Sequence, residues 1–462
     1  MNLKKPLSFL AILAVTGFFL TASRFTLPQI ISTLVFLTVI CGTLFYWQFR
    51  LTFAFGGIAV LLAANLLDIP HVIEFAGLDI ILFLVGMMTL VGFLEERHFF
   101  EYLIAKVVDR IGRRAHLLMG VLMALATLFA ALVDEVTSIL FMMSTMFHLT
   151  KRYQVNPIPF LLMIVFTTNI GSSATAVGNP IGVMIAMRAH LTFADFLRWA
   201  SPISLITLLV TMGLCFLLFG KSIRELDKKM KAEKKELEEV KHVAHKKKDI
   251  QLCWLLFLGT VASLVLHAHF ENILGLQKNS MLLATSLAAG AVVILLNRGA
   301  ARDFFTRRVD WWTLSFFMSL FASVGTLKYV GVTERIAEAM LSLGHHNPTG
   351  LLIVFTSAIS LLTGFMDNVL AVATFIPILL EIQKAGIYAY PFWWGMLFGG
   401  TLFGNLTVIG STANIVAMGM LEKEYGRHIK FMEWLKPGIV VSVITISLAL
   451  FLIHLQIPLM PR

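Results

Sequence analysis

The chain has 462 residues, of which 58% are hydrophobic and 14% charged, whereas soluble domains are typically about 45–50% apolar and about 25% charged. That balance excludes a soluble globular domain and places the chain in a bilayer. A net charge of +10 does not indicate nucleic acid here: the basic residues lie in short joints between apolar segments and in one mixed-sign run, Lys221–Asp249, the pattern of loops that anchor a membrane protein.

Crossing about 30 Å of hydrocarbon takes roughly 20 apolar residues in a helix. Such a span is predicted first at about 7–23. Residues 1–22 have the outline of a signal peptide, with Lys4, Lys5, an apolar run and Thr21-Ala22-Ser23. A second apolar helix follows at once, so this segment reads as an uncleaved span. Five more spans are predicted at about 28–48, 51–69, 79–100, 157–187 and 201–219. After the charged run come spans at about 251–268, 281–297, 310–331, 391–420 and 436–456. Two apolar stretches, 115–150 and 349–384, carry polar residues at their middles, Asp134-Glu135 and Asp367-Asn368. Charges at the centre of an ordinary span are expensive, whereas a re-entrant hairpin buried in protein tolerates them. Both stretches are therefore read as hairpins. The cysteines (Cys41, Cys215 and Cys253) have neither disulfide-framework nor metal-site spacing.

The chain also repeats. Asp79 and Asp310, each opening a span, lie 231 positions apart; Asp134 and Asp367 are 233 apart, Gly178 and Gly410 232. The predicted fold is an all-α polytopic membrane protein, about 11 transmembrane helices plus two re-entrant hairpins in two inverted repeats. Its parts are an extra N-terminal helix at 1–24, a first repeat at 25–219, a charged cytoplasmic linker at 220–249 and a second repeat at 250–462. An odd number of spans per repeat inverts the second copy. With the N-terminus in the cytoplasm, 29 Lys and Arg fall inside and 8 outside, which sets the orientation. The first hairpin then enters from the cytoplasm and the second from outside.

The candidate site lies at the hairpin tips and in two interrupted spans. The first interruption runs from Thr167 to Pro180, through Asn169, Gly171, Ser172, Ser173, Thr175, Gly178 and Asn179. The second runs from Gly399 to Asn414, through Gly404, Asn405, Thr407, Gly410 and Ser411. Breaks at matching positions in two halves point to a transport site, where half-helix N-termini meet an anion and unwound carbonyls meet a cation. Close helix packing alone would also favour small polar residues. The expected substrate- or ion-binding residues are Asp134, Glu135, Thr137, Asn169, Ser172, Ser173, Thr175, Asn179, Asp367, Asn368, Asn405, Thr407, Ser411 and Asn414, with Na⁺ expected at Asn169, Gly178, Asn405 and Gly410. A tip aspartate can take up a coupling ion, or cap the second arm of its hairpin. Lys328 and Glu95-Glu96, near span ends, read as interfacial. No HExxH, GxSxG or phosphate-loop pattern supports an enzyme.

At these residues the sequence resembles the ion transporter superfamily, in its arsenite permease / sodium–proton antiporter branch, which also holds the melanosomal P protein, and it resembles a citrate-transporter-like domain. Asp134-Glu135-Val136-Thr137-Ser138 and Asn169 to Gly182 resemble that branch's first-repeat pattern, Asp-Asn-Val-Thr-Thr and Asn-Ile-Gly-Gly-Thr-Ala-Thr-Pro-Ile-Gly-Asp-Pro-Pro-Asn. Asp367-Asn368-Val369-Leu370 and Gly404 to Asn414 resemble its second, Asp-Asn-Val-Pro and Gly-Asn-Gly-Thr-Leu-Ile-Gly-Ala-Ser-Ala-Asn. Glu135, Asn179, Gly182 and Leu370 depart from these patterns, where the family has Asn, Asp, Asn and Pro. The resemblance implies eleven spans, two hairpins, a homodimer and alternating access.

The expectation is a secondary active transporter of a small anion or oxyanion, coupled to H⁺ or Na⁺, in a prokaryotic inner membrane. Sodium–proton antiport is the alternative and an ion channel a further class. No cofactor is expected, and the expected partners are the small ion, the lipid bilayer and a second copy of the chain.

Overall fold

The computed structural model describes residues 4–111, 114–232, 247–343 and 347–461. Every regular element among them is helical, the form in which a chain in hydrocarbon satisfies its own backbone. The leading helix α1 (Lys4–Ala22) packs on α2 (Leu27–Phe45). The first half continues with α3 (Arg50–Ala63), α4 (Ile69–Phe75), α5 (Leu78–Glu96), α6 (Phe99–Ile111), α7 (Ala115–Leu132), α8 (Glu135–Arg152), α9 (Pro157–Gly171), α10 (Pro180–Ala189), the short α11 (Phe193–Asp195) and α12 (Ser201–Ala232). The second half holds α13 (Lys247–Leu274), α14 (Ser280–Leu296), α15 (Ala301–Arg308), α16 (Trp311–Tyr329), α17 (Val332–Leu343), α18 (Pro348–Phe365), α19 (Asn368–Lys384), α20 (Tyr390–Leu402), α21 (Thr412–Tyr425) and α22 (Phe431–Gln456).

Five successive helices, α5 to α9, begin 233 residues before their counterparts α16 to α20. The starts follow local chemistry: Asn156 and Asn347 cap α9 and α18 through Ile158 N and Thr349 N, with proline next in each case, where its fixed φ suits a first helical turn.

Packing between the halves is reciprocal. α5 packs on α14 and α16 on α3; α8 packs on α21 and α19 on α10. Each hairpin's second arm thus rests on the broken helix of the other half, as a two-fold axis between copies of one unit requires. Small residues permit the close crossing of α5 and α14: a Cβ at Gly86 would lie 2.4 Å from Ser286 O.

Among the described residues seven helices can cross a bilayer by length and apolarity, or eight if α16 and α17, bent by 70°, form one span. The expectation of about 11 differs at identifiable places. It counted the shorter α1, α3 and α14, and each broken span once, and it left out α7 and α18 as hairpin arms. Those arms are themselves 18 residues long and apolar, and α8 and α19 pack back against them. α6 and α17 fall between the expected spans and hairpins; as helices they bury Phe99, Phe100, Ile104 and Val108 in one case, and Val332, Ala337 and Met340 in the other. The expected linker begins as helix, since α12 runs on to Ala232 past non-helical Phe219; its residues 233–246 lie outside the described residues. The three cysteines are free and buried.

Candidate functional site

Both tip aspartates are N-caps, the second of the two readings the sequence allowed. Asp134 Oδ1 accepts from Val136 N and Thr137 N at 2.8 Å, and its Oδ2 accepts from Thr137 Oγ1 at 2.5 Å. Asp367 Oδ1 accepts from Val369 N at 3.1 Å, while its Oδ2 accepts from Thr412 Oγ1, on α21, at 2.7 Å. Thr412 was not among the expected site residues. Its signal was position, one residue past the Ser411 that matches Asn179.

Beside these caps sits Glu135, 2% exposed. Its Oε1 accepts from Asn368 Nδ2 and from Ser411 Oγ, both at 3.3 Å; its Oε2 is buried without a partner among the described residues. The first hairpin therefore reaches the second hairpin's tip and the second break through one carboxylate.

A second cluster joins the broken helices. Asn169 Nδ2 donates to Asn405 Oδ1 at 2.7 Å and to Asn414 Oδ1 at 2.9 Å. Asn414 Nδ2 in turn donates to Gly404 O and Thr407 O, both at 2.8 Å. Asn405 Nδ2 donates to Phe166 O at 3.2 Å, and Trp434 Nε1, another residue not foreseen, donates to Asn405 O at 3.1 Å. All three asparagines are buried, and Asn169 Oδ1 has no hydrogen-bond partner among the described residues.

The remaining expected residues serve the frame. Asn179 caps α10 through Gly182 N at 2.8 Å and donates to Ser172 Oγ at 3.1 Å. Ser172 donates to Asn169 O. Ser173 faces Ser204 of α12 at 2.9 Å. Thr175 and Thr407 donate to Ala131 O and Gly364 O, the last turns of α7 and α18, so each break is stapled to the hairpin of its own half. Thr137 is spent on Asp134. At the glycines expected near Na⁺ the backbone is crowded with carbonyls: a Cβ at Gly178 would lie 2.8 Å from Ser172 O, and one at Gly410 would lie 2.6 Å from Gly404 O. Among the described residues no three His, Cys, Asp or Glu converge into a metal centre.

Arg50 is the basic residue that sequence reasoning passed over. It is 7% exposed at the start of α3, donates to Thr313 Oγ1 at 2.7 Å and lies over the Trp47 ring. Its charge acts on Asp367.

On one face of the molecule a cavity of about 660 Å³ opens between α4, α16, α17 and α19, lined by Glu74, Lys328, Glu334 and Glu381 among others. A chamber of about 340 Å³ shares Glu74 and Lys328 with it and reaches Met184 on α10 and Ala373 on α19. Ala373 is five residues from Asn368, about 7.5 Å along a helix. Lys328, expected only to anchor a span end, lines both cavities. At the far ends of α8 and α21, Lys151 pairs with Glu424, and Tyr425 Oη and Thr150 Oγ1 lie 2.6 Å apart. Glu95 and Glu96 pair with Arg308.

An uncharacterized transporter of Mycobacterium tuberculosis is 32% identical over 384 residues, covering 82% of this chain and 86% of the relative. The P protein of Homo sapiens is 27% identical over 475 residues, covering 86% of this chain and 56% of the relative. The crystal structure of the YdaH transporter of Alcanivorax borkumensis shares the fold, with a TM-score of 0.61 at 16% identity over 87% of this chain and 89% of that one. Residues 39–399 and, overlapping them, 331–461 match the citrate transporter family profile, and the chain belongs to that family of integral membrane transporters.

Proposed function

We propose that the protein is a secondary active transporter that carries a small carboxylate-bearing anion together with protons, by alternating access around the two hairpin tips. The observation that carries this reading is the meeting of Glu135, Asn368 and Ser411 beside the Asn169–Asn405–Asn414 cluster, which brings both tips and both breaks into one buried polar centre. Amides and half-helix N-termini there offer N–H donors to an anion. The cavity past Lys328 is the route in from one face, and the Lys151–Glu424 side is the closed gate. The distribution of Lys and Arg favours a cytoplasmic N-terminus, which makes the Lys328 face external. The family's description supports citrate as the first anion to try.

Sodium–proton antiport is the second reading. It is favoured by the three carboxylates of the site, Asp134, Glu135 and Asp367, with no Lys or Arg hydrogen-bonded to any of them among the described residues. The test uses purified protein in sealed liposomes with a trapped pH dye. Proton movement on adding citrate, with phosphate, sulfate, arsenite and sodium alone silent, is the expected result. Proton movement driven by a sodium gradient without any of these anions would replace the first reading by the second.

A further inference from the structure

The three carboxylates of the site differ in how completely they are bonded. Asp134 holds three hydrogen bonds from its own helix turn. Asp367 holds two, at 3.1 and 2.7 Å, and has the positive charge of Arg50 acting on it. Glu135 holds two long ones, both on Oε1, and its buried Oε2 has no partner within hydrogen-bond distance among the described residues. Its uncharged neighbours are Asn368 on α19, Ser411 before α21 and Ser172 in the first break. The charged groups acting on it are Asp367 on the opposing tip and Asp134 beside it, both acidic. An ionised carboxylate out of water, short of donors and flanked by like charge, is the arrangement that a proton relieves most.

We propose that Glu135 is the residue that carries the transported proton, and that Asp134 and Asp367 serve as the helix caps of the two tips. This rests on the coupled-transport reading above. A proton from water adds to Oε2 and leaves a neutral carboxyl whose Oε1 still accepts from Asn368 and Ser411. The new O–H can donate to an oxygen of the incoming anion, and the negative charge that would repel that anion is gone. On the other side the anion leaves, the proton returns to water and the carboxylate is restored. One proton travels with each anion, and no covalent bond to the substrate forms or breaks. Glu135 and Asn368 occupy matching places in the two halves, 233 residues apart, so the proton sits where the halves meet and where alternating access requires them to move.

The test compares the parent, Glu135→Gln, Glu135→Asp and Asp134→Asn in liposomes, with radiolabelled citrate and a trapped pH dye. Two readings are taken: exchange of citrate at equal pH on both sides, and uphill accumulation driven by a pH gradient. Glu135→Gln is expected to slow exchange by less than about tenfold and to make it flat between about pH 5 and about pH 8, while accumulation and citrate-driven proton movement fall by more than about tenfold. Glu135→Asp is expected to retain accumulation with a displaced pH profile. Asp134→Asn, which keeps a capping side chain, is expected to lower accumulation no more than it lowers exchange. Undiminished accumulation in Glu135→Gln would overturn the inference and leave coupled transport standing, as would loss of coupling in Asp134→Asn alone. If Glu135→Gln fails to fold, a Glu135→Asp variant whose pH profile matches the parent's overturns it equally. A parent that moves no proton with any of the four anions overturns the transport reading, and this inference falls with it.

Discussion

At the first hairpin tip the aspartate closes on its own helix, and the residue after it, Glu135, reaches across to the other half. At the second tip the aspartate reaches sideways, to Thr412 on the broken helix of its own half, and the residue after it, Asn368, receives the crossing contact. The comparison teaches that the repeat is faithful in backbone and broken in charge. Glu135 and Asn368 are equivalent positions that touch, so the pseudo-two-fold axis passes between them. Two acids there would repel and two amides would carry no charge; one of each makes a contact whose strength depends on ionisation.

The largest effect is expected where a break presses on a hairpin. A Cβ at Gly171 would lie 2.2 Å from Thr127 O and 2.7 Å from Thr127 Cα, backbone atoms of α7 that cannot rotate away. Gly171→Ala should cost at least the roughly 1–3 kcal/mol of an overpacked core and leave little monodisperse protein on size-exclusion chromatography in detergent. A variant as stable as the parent would mean that α7 and α9 do not approach this closely, and the stapled-hairpin description would go with it.

Next come the asparagines, which separate bonds between the halves from bonds within one. Asn169→Ala removes two hydrogen bonds into the second half and leaves Asn405 and Asn414 facing a gap. Asn179→Ala removes a helix cap and one contact inside the first half. Each should lower stability by about 1–3 kcal/mol, a comparable fall in the thermal midpoint. Citrate exchange should fall more in Asn169→Ala, by about tenfold relative to Asn179→Ala. Equal exchange rates would mean that the amide cluster is packing and not part of the transport path.

The caps give a smaller and more local contrast. Asp134→Ala should destabilise by about 1–2 kcal/mol, because both oxygens serve α8. Thr412→Val leaves the Val369 N bond to Asp367 intact and should cost less, about 1 kcal/mol. Thermal unfolding in detergent orders the pair; the reverse order would show that Asp367 depends on its broken helix more than on its own.

Much of this was legible in the sequence because it is written in spacing. The 233-residue offset, the Asp at each mid-stretch tip and the Gly/Asn-rich interruptions are local or periodic signals, and each fixes a break or a turn. What the offset could not say is which side chains converge. Asn169 meets Asn405 and Asn414, at separations of 236 and 245 residues, and nothing local distinguishes them from Asn179, which caps its own helix. Thr175 and Thr407 stood among the expected binding residues, and what the offset could not show is that each hydroxyl donates to the carbonyl at a hairpin's end, Ala131 O and Gly364 O. Arg50 was counted as an anchoring charge in a short joint, and its burial against Trp47 and Thr313 depends on how α3 meets α16. α6 and α17 escaped for the opposite reason: a charged face hid a helical period that only burial makes plain.

The smallest effect lies at the closed face, where Lys151 at the end of α8 pairs with Glu424 at the end of α21. The hydrogen bond and charge of Lys151 hold the Glu424 carboxyl below the usual glutamate range. A carboxylate depressed in the folded state adds stability above its unfolded pKa, about 4.3, and loses it as pH falls through the lower folded value. The pair is open to solvent, so salt should screen it. The parent's thermal midpoint should therefore slip more than that of Glu424→Gln as pH drops from about 5 to about 3, the difference shrinking in high salt. The same variant should favour the opening of this face, since α8 and α21 belong to opposite halves and must part there for the site to face the other side. If Glu424→Gln matches the parent in both acid response and exchange rate, the pair is a surface contact and the gate is held by Tyr425 and Thr150.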